Sequence, residues 1–67
     1  MDIELARKIL EEQLNNTITD ISKFDGPHTF PEDGSQYFDM TVSFVDAPTV
    51  YQEYRVYSDD VVYPIMP

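Results

Sequence analysis

His28 is the only imidazole in the sequence and cysteine is absent, so any nucleophilic chemistry must be assembled from Ser, Asp and Glu. No Ser, His and Asp stand at a spacing that implies a nucleophile, a base and an orienting group. Between Gly26-Pro27 and Phe30-Pro31, His28 reads as an ordinary loop side chain. Glu32-Asp33 and Asp59-Asp60 could offer oxygens to a hard cation such as Ca²⁺, which takes about six to eight of them. Neither run has the alternating acids, the glycine and the distant Glu of a calcium loop. Asp25 and Asp33 bracket a segment that could fold around an ion, yet acids in turns ordinarily accept bonds from their own backbone. No metal or other cofactor is therefore expected. Asn15-Asn16-Thr17 matches the glycosylation acceptor, a match that is incidental without a secretory leader. Paired carboxylates that cleave glycosides need a cleft. A domain this small leaves little room for a ligand site of roughly 300 Å³ or more, so the expectation is a protein that is not an enzyme.

The remaining constellation suits binding. Strict alternation over residues 36 to 45 sends Phe38, Met40, Val42 and Phe44 one way and Tyr37, Asp39, Thr41 and Ser43 the other. Thr49 to Tyr57 repeats the pattern, with Val50, Tyr54 and Val56 against Tyr51, Glu53, Arg55 and Tyr57. Three tyrosines thereby share a solvent-facing surface with acids, and Tyr is enriched where proteins meet proteins. Only Asp39 and Glu53 lie squarely on that face; Asp46, Asp59 and Asp60 must be supplied by turns. Alternate strand residues repeat at about 6.6 Å, comparable with successive phosphates of a nucleic-acid strand, so acids on a sheet can imitate that backbone. The more ordinary alternative is that cross-strand tyrosines stabilise a thin sheet, at about 0.2 to 1 kcal/mol per pair, while the acids keep the chain soluble.

Charge points the same way. Thirteen Asp and Glu face four Lys and Arg, for a net −9. Residues 1 to 16 hold four acids and two bases, so residues 17 to 67 carry nine acids against Lys23 and Arg55. A field of one sign repels nucleic acid and anionic membrane and attracts basic surfaces. The expected function is that of a small acidic binding protein occluding a basic surface of a larger protein, such as a nucleic-acid-binding one, through Tyr37, Asp39, Asp46, Tyr51, Glu53, Tyr57, Asp59 and Asp60. In size and charge, though in no motif, this resembles phage-encoded inhibitors of host nucleases, restriction or CRISPR effectors and nucleoid proteins. The alternative is a structural, assembly or immunity-type protein that meets its partner, or a second copy of itself, through the tyrosine face and a C-terminal arm, Val61 to Pro67.

The elements that must position these residues are few. Sixty-seven residues enclose one core, and domains of this size bury only about 60% of the surface their unfolded chains expose. No disulfide compensates, so self-association or docking would help. The start Met1-Asp2-Ile3-Glu4 lacks the basic and apolar segments of a signal peptide, and with no cysteine the expected compartment is the cytoplasm, a host's if the chain is phage-encoded. Ile3, Ala6, Leu10 and Leu14, flanked by Leu5 and Ile9, lay an apolar stripe along a helix capped by Asp2 and ended at Asn15-Asn16. Glu4 with Lys8, Lys8 with Glu12 and Arg7 with Glu11 fall four apart on its solvated side. Thr17 to Phe24 is a β-branched strand of poor alternation; Asp25 to Ser35 is a long loop, pinned to the core by Phe30. Asp46-Ala47-Pro48 and Asp59-Asp60 are turns, and Val61 to Tyr63 returns as a short strand limited by Pro64. The sum is an α+β domain, one N-terminal helix on a three- to four-stranded antiparallel meander.

Overall fold

The computed structural model describes residues 1–65. Helix α1 spans Ile3–Leu14 and is followed by strands β1 (Ile18–Thr29), β2 (Gln36–Phe44), β3 (Ala47–Tyr57) and β4 (Val62–Ile65). The strands form one open antiparallel sheet in chain order, β1-β2-β3-β4. The α+β meander expected from the alternation is the observed architecture.

Each end of α1 is closed by the residue type that suits it. Asp2 is extended (φ −113°, ψ 174°) and its Oδ1 accepts the Leu5 amide at 2.9 Å, satisfying one unpaired first-turn donor. Asn15 takes the left-handed conformation (φ 49°, ψ 49°), which lets its amide reach the Glu12 carbonyl and the Asn16 amide reach that of Glu11. The buried stripe is Ala6, Ile9 and Leu10, with Ile3 packed beside it, whereas Leu5 and Leu14 are exposed. The buried stripe therefore runs from Ile3 to Leu10 and is shorter than the spacing implied. Of the three ion pairs expected on α1, Arg7 with Glu11 is formed, at 3.9 Å. Both also grip β1: Glu11 Oε2 accepts the Ile18 amide at 2.8 Å and Arg7 Nη2 donates to the Ile18 carbonyl at 3.4 Å. These charges dock the helix to the start of the sheet and are not merely a solvated face.

One sheet face packs on the helix. Ile18, Phe38, Met40, Val42, Phe44 and Val56 join Ala6, Ile9 and Leu10 in the core, with Ile21, Tyr54 and Val62 against its margin. Burying a side chain such as Leu10 or Met40 stabilises the fold by about 1.5 to 3 kcal/mol. Val50, which the alternation sends inward, is exposed. The register explains this: Val42 pairs with Gln52 and Phe44 with Ala47, so Pro48 to Tyr51 all stand opposite Ser43 and bow out of the ladder. Such an irregularity also accommodates Pro48 inside a strand.

Strand β1 differs from its expected form. It continues through Asp25-Gly26-Pro27-His28 to Thr29, and the loop shrinks to residues 30 to 35. Its twelve residues face the nine of β2, the excess being absorbed by three register shifts. The last lies between Asp25 and His28 and holds Gly26 at φ +139°, where an added Cβ would meet Phe38 Cδ1 and the Tyr37 carbonyl at 3.0 Å. Only glycine fits there, and proline follows because β1 is an edge strand. Bulged strands lose period-two alternation, which is why residues 17 to 29 look irregular as sequence.

At the other edge, Val62–Ile65 pairs with Glu53 to Val56, so this part of the suggested C-terminal arm is a strand; Met66 and Pro67 lie outside the described residues. Among the described residues no helix is long and apolar enough to cross a membrane.

Candidate functional site

The face of the sheet turned away from α1 carries four cross-strand rows, fixed by the pairing register. His28, Tyr37 and Tyr57 form the first; Asp25, Asp39, Arg55 and Tyr63 the second; Lys23, Thr41, Glu53 and Ile65 the third. Asp20 and Ser43 begin the fourth, which Tyr51 completes by donating its phenolic hydrogen to Asp20 Oδ2, two strands away.

Aromatic rings connect the first row to its surroundings. His28 stacks on Tyr37 at 4.9 Å between centroids, and Phe30 lies 5.2 Å from Tyr37 and 6.1 Å from Tyr57. Tyr37 and Tyr57 are 5.6 Å apart, and Tyr63 meets Tyr57 edge-on at 5.7 Å. Such contacts are worth about 0.5 to 1.5 kcal/mol each beyond area burial. Phe30 thus pins its turn to this outer face, not to the core beneath the helix. The turn is closed by the Phe30 amide donating to the Ser35 carbonyl at 2.8 Å and the Gly34 amide donating to the Phe30 carbonyl at 2.9 Å, with Gly34 left-handed at φ +75°.

Arg55 is the structural centre of the second row. Its Nε and Nη2 bond the two Asp39 oxygens at 2.8 and 3.0 Å, a fork-on-fork pair. Its Cζ sits 4.4 Å from the centroid of the Tyr37 ring, within cation–π range. The Asp39 carboxylate, first among causes, pushes the guanidinium's pKa further up from its already high value. At the opposite end the bond to Asp20 raises the Tyr51 phenol above the ordinary tyrosine value. Ser43 is close to Tyr51 and fully buried on the nominally wet face, and its Oγ makes no hydrogen bond of good geometry among the described residues. The expectation of an exposed Ser43 fails because the bowed segment of β3 folds over it.

The eight residues singled out from the sequence divide into groups. Tyr37, Asp39 and Tyr57 are brought together around Arg55. Asp59 and Asp60 form the β3–β4 turn at the same end of the sheet, with Asp60 left-handed at φ 70° and its amide on the Tyr57 carbonyl at 3.2 Å. Tyr51 and Glu53 lie further down β3. Asp46 belongs to the β2–β3 turn at the far end, where its Oδ1 accepts from Asn16 Nδ2 at 3.3 Å. The eight do not form one patch.

Hydrogen bonding separates the acids of the face further. Asp20 holds Tyr51, Asp25 holds His28 Nε2 at 3.0 Å, and Asp39 holds Arg55. Glu53 has neither hydrogen bond nor ion pair among the described residues. Asp33, the other bracket of the supposed ion-binding segment, instead accepts the Ser35 amide and hydroxyl, which lower its pKa. Among the described residues no three His, Asp or Glu side chains group closely enough to hold a metal ion.

Two depressions are larger than so small a domain suggests. One, of about 310 Å³, lies on the helix side between Leu14, Phe44, Val50 and Tyr54. The other, of about 610 Å³, is lined by Thr41, Tyr51, Gln52, Glu53, Tyr54, Pro64 and Ile65 where β4 ends beside β3. Both are open to solvent, and they arise where β3 bows out of the ladder and, among the described residues, beside the end of β4. Tyr63, Phe30 and His28 belong to the aromatic network but not to the sequence-derived set. Tyr63 alone could have been found by continuing the alternation past Asp59-Asp60. No protein-family profile, curated protein or solved structure matches the chain.

Proposed function

We propose that this protein is a non-enzymatic binding protein whose helix-free sheet face occludes a basic surface on a larger protein. The observation that carries this reading is that α1 covers one side of the sheet only, while the other presents ordered tyrosines and carboxylates across all four strands. The rings supply area that desolvates on contact, as aromatic anchors do at interfaces. The net charge of −9 steers basic partners and rejects acidic ones. A partner that itself binds nucleic acid is a natural recipient, because its basic groove has the complementary sign. Within this reading, the pairing of Asp20, Asp25 and Asp39 to neighbours of their own chain favours occlusion anchored by aromatic rings over close imitation of a phosphate backbone, which needs several unpaired charges in file. The size and charge keep the analogy with phage-type inhibitors of nucleases and CRISPR effectors, in character only.

Self-association through the same face is the second reading, favoured by the exposure of Tyr63 beside Tyr57. One experiment separates the two. The protein is immobilised at low salt, challenged with lysate with and without excess duplex DNA, and washed through rising salt, in parallel with sedimentation of the free protein. A basic partner released by DNA or modest salt, and lost on Tyr51→Ala with Tyr57→Ala in a folded variant, is the expected result. A concentration-dependent dimer that buries Tyr63 and captures nothing would replace the first reading by the second.

A further inference from the structure

Two short segments of the outer face repeat one pattern. Tyr37-Phe38-Asp39 on β2 and Tyr51-Gln52-Glu53 on β3 each place a tyrosine and a carboxylate two residues apart on that face, with Asp39 opposite Arg55 and Glu53 opposite Ile65 on the following strand. In the first, the following strand supplies a guanidinium that bonds both carboxylate oxygens and lies over the ring. In the second it supplies the apolar Ile65, and beside the pair is the depression of about 610 Å³, which spans the edge of the sheet and is lined on the outer face by Thr41, Tyr51, Glu53 and Ile65 and on the helix side by Gln52, Tyr54 and Pro64. The Tyr51 ring is held in place by its bond to Asp20, and Glu53 has no partner among the described residues.

We infer that the Tyr51–Glu53 depression seats an arginine side chain of the partner, in the manner in which Tyr37 and Asp39 hold Arg55. This rests on the proposed basic partner and names the group recognised. The chemistry selects guanidinium over ammonium. A planar fork satisfies both oxygens of one carboxylate, stacks on a ring and is more weakly hydrated than an ammonium ion. A lysine ammonium can bond the carboxylate and approach the ring, but as a compact, strongly hydrated point charge it cannot present a planar fork to both oxygens. Ile65 and the Thr41 methyl give the aliphatic stem an apolar wall.

The test is a nuclear magnetic resonance titration of the whole chain with an oligo-arginine peptide and an oligo-lysine peptide of equal length, at low salt. The expected result is binding of the arginine peptide about 3- to 10-fold tighter than the lysine peptide, with the largest shifts at Thr41, Tyr51, Glu53 and Ile65. Glu53→Gln should abolish the preference, whereas Glu32→Gln, in the β1–β2 turn at the other end of the sheet, should preserve it. Both substitutions are at solvent-accessible side chains, and amide spectra of each variant establish that the fold is kept. Equal affinity for the two peptides, with shifts spread over the acidic turns, would overturn the arginine seat and leave the basic-surface reading standing. Binding of neither peptide would sink both.

Discussion

The two faces of the sheet are ordered by different means. On the helix side, apolar side chains are held because α1 excludes water from them. On the outer side no helix covers the sheet among the described residues, yet its side chains are also fixed, by ring contacts and by the bonds of Tyr51 to Asp20, Arg55 to Asp39 and His28 to Asp25. The first kind of order is inseparable from folding. The second can be removed piecemeal, and on the proposed binding role it would spare the surface the cost of freezing its own rotamers on contact.

That contrast should show in the size of mutational effects. The largest belongs to the closed face: Leu10→Ala or Met40→Ala removes a fully buried side chain and should cost about 2 to 5 kcal/mol in urea unfolding. In a domain this small such a loss leaves little folded protein. An effect below about 1 kcal/mol would mean that the core is looser than its burial implies. On the open face, Arg55→Ala should cost only about 1 kcal/mol, a value discounted because its side chain is 37% exposed. It should also release the Tyr37 ring, visible as a change in ring-proton shifts. A loss as large as that of Leu10→Ala would erase the distinction between the faces.

Smaller still are two pH effects, of opposite sign. The bond to Asp20 raises the Tyr51 phenol, so its contribution to stability is complete below the ordinary tyrosine pKa and is lost as pH climbs through the raised value. Spectrophotometric titration should show a late-titrating phenol that disappears in Tyr51→Phe; an unchanged curve would mean that the bond does not persist in solution. The bonds from the Ser35 amide and hydroxyl depress the Asp33 carboxyl. Its contribution is present above the ordinary carboxylate pKa and is lost as pH falls through the depressed value. Asp33→Asn should therefore be slightly less stable than the parent at neutral pH, with the gap closing in acid. A gap that persists at low pH would assign the effect to the amide and not to the charge.

What the sequence discloses follows the same division. The closed face is legible wherever alternation is unbroken, as from Phe38 to Phe44, because period-two burial is a local signal. It is illegible in β1, where Gly26-Pro27 reads as a turn and three register shifts scramble the period, and at Val50 and Ser43, where four residues of one strand oppose one of the other. The tyrosines of the open face are placed correctly by alternation, but their partners are not. That Asp39 is occupied while Glu53 has no partner among the described residues depends on which residue of the next strand stands opposite, Arg55 or Ile65. Phe30 and His28 reach the ring network through the end of β1 and its turn, a contact that no local pattern encodes.

The prolines at the margins of the sheet carry a last consequence. Pro27 interrupts the outer strand on one side, Pro64 the outer strand on the other, and Pro48 a stretch of β3 with no β4 partner among the described residues. Proline has no amide hydrogen, so neither rim offers an unbroken row of donors on which a foreign strand could zip. Ribbon-to-ribbon growth into fibres is thereby discouraged at both margins. On the proposed binding role, a partner would then meet this sheet broadside, through side chains and not through backbone pairing.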